Sequence, residues 1–350
     1  MSRPPVLALD LGGTRIRAAV VQSDGSRLAR VDIETPTEDG PAAVVRACRD
    51  AVAGSRGKVA ADVADSIVGI GISSPGPVDQ ARGVIVEPPN LGPEFRNVML
   101  ASDISSAQGL PAFLERDTNI AALGEHAFGA ARDVDDFIYI TVSTGVGGAI
   151  VTGGRLLHGP DGLAGELGHV PVSLDGPRCG CGGIGHVEAY ASGSGLAREA
   201  RALVAASASQ FLVDRARRLG GPNELSAKDV AEGALAGDRA CTELMARARR
   251  ALAAACVGYV NAFNPHRIVI GGSIAEAEGE RLLGPIRDAI AREAFEAMAR
   301  HVRVVPAALG GDVSLAGAYP LVISRLADLP PESIAPQPRP GQPAVTFTRR

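Results

Sequence analysis

Two segments of this 350-residue chain share one layout, although they lie more than a hundred residues apart. In residues 6–21, VLALDLGGTRIRAAVV, an apolar strand reaches a Gly-Gly turn and a second apolar strand follows. Residues 137–154, FIYITVSTGVGGAIVTGG, repeat this order around a turn of small and hydroxyl-bearing residues. Glycine permits the backbone conformations that such tight turns need. The repeat predicts a duplicated architecture in which each half contributes one nucleotide-facing turn.

The composition is that of a globular protein with an ample core. Hydrophobic residues make up 46% of the chain, and the net charge of −4 leaves no basic surplus for a nucleic-acid or anionic-membrane surface. The chain has no apolar run of the roughly 18 residues that a membrane helix needs, and its start lacks a secretory-signal pattern. We therefore expect a cytoplasmic protein of two domains with no nucleic-acid and no membrane partner.

Three glycine-rich turns at strand ends are candidate binding sites for a nucleotide. Glycines let backbone amides approach phosphate oxygens, and a carboxylate beside them can hold a hydrated Mg²⁺. Any one of the three is also compatible with a plain turn, but three in this order favour a nucleotide. The residues are Asp10 (as magnesium ligand), Gly12, Gly13 and Thr14 in the first turn, Thr144, Gly145 and Gly147 in the second, and Gly271 and Gly272 in the third.

An acidic residue follows a short apolar strand in LERDTNIAALGE, where the pattern changes from strand to helix at Asp117. A carboxylate at a strand end, opposite phosphate-binding turns, is placed to act as general base on a sugar hydroxyl. Asp is also a favoured N-cap residue of helices. The sequence therefore leaves two interpretations of Asp117, a general base and a helix cap.

A second candidate site lies in residues 165–188. Its close cysteine pair, in a cytosolic chain, favours metal ligands over a disulfide. Two thiolates with two imidazoles complete the closed tetrahedral site typical of structural zinc. The alternative is that the second histidine faces solvent and the cysteines are merely reduced. A metal here would fix the flanking Glu166 and Glu188 where they can bind paired hydroxyls. The spacing H-x9-C-x-C-x4-H gives the ligands His169, Cys179, Cys181 and His186.

The chain resembles the sugar kinases of the ROK family (repressors, open reading frames, kinases) over about residues 6–327. The resemblance rests on DLGGT, SSPGPVD, EPPNLGPEF, ERDTNIAALGE, STGVGGAIV, GELGH, CGCGGIGHVE and IVIGGS, in the order of the family. It implies an α/β, two-lobed, actin-like ATPase (ribonuclease H-like) fold made of duplicated βββαβα-type domains. Repressors of the family carry a winged helix-turn-helix ahead of the kinase-like region, and only five residues precede the first predicted strand here.

The resemblance also implies an activity, namely transfer of the γ-phosphate of ATP to the 6-hydroxyl of a hexose, with Asp117 as catalytic base. Glucokinase is the first interpretation, and an N-acylhexosamine kinase (for N-acetylglucosamine or N-acetylmannosamine) or a fructokinase is the alternative. ATP or polyphosphate as donor stays open, and so does a non-catalytic sugar sensor. We expect a homodimer or homotetramer with structural Zn²⁺, and Mg²⁺ bound with ATP. The implied sugar-binding residues are Gly76, Asn90, Arg116, Asp117, Glu166, His169 and Glu188, of which His169 also binds zinc.

Two positions depart from the family pattern. Arg116 stands just before the implied base, where the family usually has Asn, and His186 stands where the family usually has a third cysteine. The Asn of the family touches a sugar hydroxyl, so Arg116 leaves the identity of the sugar open. We expect the Arg116 side chain to face solvent, because an unpaired guanidinium in a sugar site is costly.

The pattern divides the chain into four parts. Residues 1–117 are predicted to form a small N-terminal α/β domain with the phosphate hairpin and part of the sugar site, and residues 118–311 a larger α/β domain with the zinc knuckle. Residues 312–328 are predicted to form a closing helix that returns to the small domain. Residues 329–350 are proline-rich and polar, which predicts a disordered tail.

Truncation after Pro330 is expected to leave activity and melting temperature essentially unchanged, because a proline-rich polar segment without apolar periodicity buries no core. Kinetic assays and thermal melts of the truncated chain test this expectation. A large loss of either quantity would mean that the tail docks on the body of the protein or on another subunit.

Overall fold

The computed structural model describes residues 3–88 and 90–328. These residues divide into two compact units. The first unit contains the described residues up to Phe128 and those from Asp312 onward, and the second unit is Gly129–Gly311. The predicted tail, residues 329–350, lies outside the described residues.

Strands and helices alternate along both units. The strands are β1 (Val6–Leu11), β2 (Arg15–Val21), β3 (Arg27–Glu34), β4 (Ile70–Ser74), β5 (Val78–Asp79), β6 (Val84–Ile85), β7 (Ala112–Arg116), β8 (Phe137–Val142), β9 (Val146–Thr152), β10 (Arg155–Leu156), β11 (Arg267–Gly271) and β12 (Arg303–Pro306). The α-helices are α1 (Pro41–Arg56), α2 (Ala61–Ser66), α3 (Leu100–Gln108), α4 (Asp117–Phe128), α5 (Val187–Ala191), α6 (Gly193–Ala205), α7 (Gln210–Leu219), α8 (Ala227–Leu235), α9 (Arg239–Phe263), α10 (Ser273–Glu278), α11 (Glu280–Glu293), α12 (Glu296–Ala299) and α13 (Val313–Asp328).

Each unit contains one five-stranded sheet, and the two sheets have the same topology. The strand order is β3-β2-β1-β4-β7 in the first unit and β10-β9-β8-β11-β12 in the second. In both sheets the first three strands form an antiparallel meander, and the last two strands run parallel to the first. The repeated topology confirms the predicted duplicated α/β architecture.

Helices cover both faces of the first sheet, and the side chains of β1 explain why. Leu7 and Leu9 belong to one apolar cluster with residues of α1 and α3, whereas Val6 and Ala8 belong to another with residues of α4 and α13. Alternate side chains of a strand point to opposite faces of its sheet. Because both faces of β1 are apolar, the strand is buried in the middle of the unit.

Two glycines allow α4 and α13 to approach closely. A Cβ at Gly317 would overlap the carbonyl oxygen of Ile120, and a Cβ at Gly124 would lie 2.7 Å from the carbonyl oxygen of Val313. Only glycine leaves room for such an approach. This packing groups α4 with the first unit, whereas the predicted division between residues 117 and 118 falls at the beginning of α4.

The long helix α9 lies at the centre of the second unit, where it packs against α5, α8 and α11. Its Tyr259 donates a hydrogen bond of 2.5 Å to the carbonyl oxygen of Leu167. Burial raises the pKa of Tyr259, so the hydroxyl stays protonated and remains a donor. The bond ties the GELGH segment to the core of the unit. Within residues 3–88 and 90–328, a helix long and apolar enough to cross a membrane is absent.

Candidate active site and metal centre

The β1–β2 turn brings the first predicted phosphate-binding residues beside a predicted sugar-binding residue. The Gly12 amide donates to the carbonyl oxygen of Arg15 at 2.9 Å, which closes the turn. The Thr35 hydroxyl donates to the carbonyl oxygen of Gly12 at 2.7 Å. A Cβ at Gly13 would lie 2.6 Å from the carbonyl oxygen of Asn90. The glycine is therefore needed for the loop that carries Asn90 to lie against the turn.

Asp10, the predicted magnesium ligand, is buried and paired with a cation. It lies directly opposite Arg17 in the β1–β2 ladder. The Arg17 guanidinium donates from Nε at 2.9 Å and from Nη2 at 2.5 Å, both to Oδ2 of Asp10. The sequence analysis missed Arg17, although its position in the second strand of the hairpin is a cross-strand signal. The positive charge of Arg17 therefore neutralises the carboxylate of Asp10.

The β7–α4 junction holds a buried polar cluster next to Asp117. Glu115 is fully buried. Its Oε1 accepts hydrogen bonds from the Arg116 amide at 2.9 Å, from Asn119 Nδ2 at 2.9 Å and from Gln80 Nε2 at 3.2 Å. A carboxylate that accepts several donors is well satisfied without water. Glu115 therefore fixes the strand end from which the helix with Asp117 starts, and sequence patterns alone did not identify it.

The expectation that Arg116 faces solvent is wrong. Its side chain is buried, with 3% of the residue surface exposed, and its Nη2 donates to Asn119 Oδ1 at 3.4 Å. A Cβ at Gly76 would lie 3.0 Å from Cδ of Arg116. The aliphatic part of the Arg116 side chain therefore packs against the predicted sugar-contact residue Gly76. The junction supplies Asn119 as a polar partner of Nη2, which offsets part of the desolvation cost on which the expectation relied, whereas the buried Nε has no hydrogen-bond partner among the residues that the structure describes.

Asp117 itself is the exposed first residue of α4. Its Oδ1 accepts a hydrogen bond of 2.7 Å from the amide of the next residue, Thr118. An exposed carboxylate at the end of β7 has the placement that a general base needs.

In the second unit, the predicted second and third nucleotide turns lie side by side. The Ser143 amide donates to the Gly145 carbonyl oxygen at 2.9 Å, which closes the β8–β9 turn with Thr144 at its tip.

The β11–α10 turn lies against this β8–β9 turn. The Ser143 hydroxyl lies 2.9 Å from the hydroxyl of Ser273. Gly272 has a φ of +94°, and a Cβ there would lie 2.5 Å from the carbonyl oxygen of Val142. The β11–α10 turn with Gly271 and Gly272 therefore packs directly on the β8–β9 turn with Gly145 and Gly147.

The four predicted metal ligands come together in the structure. One ligand atom from each of them lies within 4.8 Å of all the others. The Cys179 Sγ lies 3.7 Å from Nδ1 of His169, and the Cys181 Sγ lies 3.3 Å from Nδ1 of His186. Ligand atoms around a tetrahedral zinc ion with ordinary bond lengths are separated by about 3.3–3.8 Å. The donor set therefore fits a tetrahedral metal ion, and the Cys179–His169 and Cys181–His186 distances lie in this range.

The local backbone explains why the two cysteines and His186 meet. The Cys179 amide donates to the Gly183 carbonyl oxygen at 2.8 Å, and the Gly182 amide donates to the Cys179 carbonyl oxygen at 3.0 Å. Gly182 has a φ of +93°, a conformation that glycine adopts without strain. Burial raises the pKa of the Cys179 thiol to about 11, so the thiol is protonated until a metal ion displaces the proton.

Two predicted sugar-binding glutamates flank this cluster in different ways. Glu166 is exposed, and its Oε2 lies 3.9 Å from Nε2 of His169. Glu188 is half-buried, and its Oε2 accepts a hydrogen bond of 3.0 Å from the Val146 amide. The other oxygen of Glu188, Oε1, lies 3.5 Å from the Cys179 Sγ. The cluster therefore has Glu166 on the side of His169 and Glu188 on the side of Cys179.

Comparison with known proteins adds three relatives of nearly the same length. The glucokinase of Thermotoga maritima is 35% identical over 328 residues, covering 93% of this chain and 99% of that protein. The N-acetylmannosamine kinase of Escherichia fergusonii is 32% identical, covering 89% and 96%. A crystal structure of a ROK family glucokinase from Streptomyces griseus, in complex with glucose and AMPPNP, matches with a TM-score of 0.72 at 34% identity, covering 90% and 97%.

The family assignment follows from these matches and from the repeated sheet topology. The sequence matches the ROK family over residues 6–325, which includes both units and the segments that carry the predicted site residues. This protein belongs to the ROK family.

Proposed function

We propose that this protein is an ATP-dependent hexokinase that phosphorylates the 6-hydroxyl of a hexose, with glucose as the preferred sugar. The observation that carries the proposal is the 35% identity, over nearly the full length of both chains, to a protein named glucokinase. The exposed carboxylate of Asp117 at the end of β7 and the glutamates beside the metal cluster support a sugar-phosphorylating site. We place the enzyme in the cytoplasm as a homodimer or homotetramer.

In the proposed reaction, Asp117 accepts the proton of the 6-hydroxyl while the hydroxyl oxygen forms a bond to the γ-phosphorus of ATP. The bond between the γ-phosphorus and the bridging oxygen breaks, and ADP leaves with the electron pair. The backbone amides of the glycine turns at Gly12, Gly13 and Thr144–Gly145 bind the phosphates, and the β11–α10 turn binds the adenosine. When bound, hydrated magnesium would neutralise charge on the phosphates, and Asp10 would hold it while its Oδ2 keeps the bonds from Arg17.

The sugar is held by residues that accept hydrogen bonds from its hydroxyls. In the second unit the proposed contacts are the cluster residue His169 and the two glutamates that lie next to the cluster, Glu166 and Glu188. Asn90 and Gly76 are the proposed contacts of the first unit. The buried Arg116 side chain is proposed to support the position of Gly76, against which it packs.

The metal cluster is proposed to hold one structural Zn²⁺ through His169, Cys179, Cys181 and His186. Two thiolates and two imidazoles fill a tetrahedral zinc site, so no position is left for a catalytic water. The ion would lock the loop that bears His169 and the segment that leads to Glu188. His169 would bind the ion through one ring nitrogen, which would leave the other for the sugar.

An N-acylhexosamine kinase is the second candidate, favoured by the 32% identity to a protein named N-acetylmannosamine kinase. A coupled ADP-release assay with glucose, mannose, fructose, N-acetylglucosamine and N-acetylmannosamine separates the candidates. We expect the highest kcat/KM with glucose and ATP, and a lower value with polyphosphate as donor. A higher kcat/KM with an N-acetylated sugar would favour the second candidate. Sugar binding without turnover on any sugar would favour a sensor.

Arg116→Asn is expected to change both stability and sugar preference, because the guanidinium is buried against Asn119 and Gly76. Loss of a buried charged donor should lower the free energy of unfolding by about 1.5–3 kcal/mol. Without the Arg116 side chain packed against it, Gly76 should lose its fixed position. The ratio of kcat/KM for glucose to kcat/KM for N-acetylmannosamine should then change by about tenfold, the effect expected of one polar contact. Urea denaturation and steady-state kinetics measure the two effects.

The matched control for Arg116 is Arg82→Asn, because the Arg82 side chain is 73% exposed. That change should alter the free energy of unfolding by less than about 0.5 kcal/mol. A silent Arg116→Asn variant would contradict the role given to the buried guanidinium.

A further inference from the structure

The carboxylate of Glu188 touches two parts of the second unit that have separate proposed tasks. Its Oε2 accepts the Val146 amide at 3.0 Å, and Val146 is the first residue after the proposed phosphate-binding turn. Its Oε1 lies 3.5 Å from the Sγ of Cys179, which in turn lies 3.7 Å from Nδ1 of the proposed sugar contact His169. One carboxylate thus stands between the nucleotide turn and the sugar contacts.

The segment that begins with Glu188 holds the whole turn. The Gly193 amide donates to the carbonyl oxygen of Ser143 at 2.8 Å, and the Ser194 amide donates to the carbonyl oxygen of Thr144 at 3.0 Å. Together with the Glu188 bond to Val146, these contacts reach the turn on both sides of its tip. The backbone bonds are independent of any ligand, whereas the Glu188 bond comes from a side chain that is able to move.

The Glu188 carboxylate lies close to the backbone of Gly145. A Cβ at this position would lie 2.8 Å from Oε2 of Glu188, closer than real Cβ contacts allow. The φ of Gly145 is not in the left-handed region, so the backbone itself accepts alanine. Because the contact is with the end of a side chain, a methyl group at this position would displace the Glu188 carboxylate rather than the backbone.

We propose that Glu188 is a positioning residue that couples hexose binding to nucleotide binding. A sugar hydroxyl on Oε1 fixes the carboxylate, and the fixed carboxylate holds the Val146 amide and the turn before it. The nucleotide then binds a turn that is already ordered, so its binding costs less conformational entropy. The coupling is positive, and linkage requires that the nucleotide strengthens hexose binding by the same factor. The proposal rests on the proposed function, since it takes a hexose and a nucleotide as the ligands.

Calorimetry tests the coupling on the full-length, metal-loaded protein. The dissociation constant of AMPPNP is measured with and without saturating glucose, and that of glucose with and without saturating AMPPNP. We expect each ligand to tighten the other by about fivefold or more. If both ligands bind but neither changes the other, the coupling proposal is wrong and the proposed function stands. If neither ligand binds and no hexose is phosphorylated, the proposed function itself fails.

Gly145→Ala isolates Glu188, because its methyl group displaces the carboxylate from Val146 without changing the glutamate. Weaker AMPPNP binding alone is expected from a change in the turn, so the informative quantity is the ratio of the dissociation constants with and without glucose. We expect that ratio to fall to about one. The matched control is Gly284→Ala in α11, where a Cβ would meet no atom within 4 Å, and it should keep the wild-type ratio. An unchanged ratio in Gly145→Ala would overturn the proposal.

Hydrogen exchange gives a second readout that needs no variant. Glucose alone should slow exchange of the Val146 amide, because it holds the carboxylate that accepts this amide's hydrogen bond. Glucose binding that leaves the exchange of this amide unaltered would also overturn the proposal.

Discussion

Asp117→Asn is expected to lower kcat by about 10²–10⁴, the usual contribution of a general base, while glucose binding and melting temperature stay near wild-type values. Asn has the same size and keeps an oxygen that accepts the Thr118 amide, which the structure places 2.7 Å from Oδ1 of Asp117. It cannot take the proton of the attacking hydroxyl. The substitution therefore removes proton transfer and little else, and steady-state kinetics with glucose titrations measure the result.

A true helix cap supplies the matched control. Asp238 is the N-cap of α9, where its carboxylate accepts the amide of Cys241. Asn is as good an N-cap as Asp, so Asp238→Asn should leave turnover near its wild-type value. If Asp117 merely capped α4, its Asn variant would behave in the same way. Near-normal turnover in Asp117→Asn would therefore remove the general base from the mechanism.

The duplicated fold was predictable because its signals are local. A Gly-Gly or small-residue turn between two apolar strands specifies a hairpin, and the chain contains that pattern twice. The parallel pairing of β1 with β4, and of β8 with β11, joins distant segments, and it followed from the resemblance of the whole chain rather than from local pattern. The assignment of α4 to the first unit depends on the fit of Gly317 against Ile120, which no periodicity displays.

The polar contacts around the site were less predictable, because each depends on how the folded segments lie against one another and not on a local sequence pattern. The burial of Arg116 depends on Gly76 and on Asn119. A charged residue at a strand end gives no sign of whether such partners exist. Prediction of the Asp10–Arg17 pair requires the register of the two strands, which is fixed only when the hairpin forms. The Glu188 bond to Val146 joins residues that lie 42 positions apart.

The metal cluster was the most predictable part of the candidate site. Its ligand types are few and their spacing is short, so the sequence constrains which side chains can meet. The structure brings Nδ1 of His186 to 3.3 Å from the Cys181 Sγ, as the metal interpretation expects, while zinc itself stays a prediction. What the spacing did not show is that the cluster also touches Glu188 through Cys179.

Purified protein is expected to contain one zinc ion per chain, and removal of this ion should raise the KM for the hexose far more than the KM for ATP. Without the ion, the loop that carries His169 loses its attachment to Cys179, Cys181 and His186. His169 and Glu166 then lose their fixed positions, and both are proposed sugar contacts. The nucleotide turn keeps its backbone bonds from Gly193 and Ser194, so its geometry depends less on the metal.

Cys181→Ser tests the metal without a chelator, because Cys181 is exposed and its substitution leaves no cavity in the core. Oxygen of a serine is a poor zinc ligand, so this variant should lose zinc and show the same selective rise of the hexose KM. Restoring zinc to chelator-treated wild-type protein should recover the original KM, whereas added zinc should leave the variant unchanged. Elemental analysis of protein purified without chelator measures the stoichiometry. Substantially less than one zinc per chain in fully active protein would contradict the metal assignment, and an equal rise of both KM values would contradict the role given to the ion.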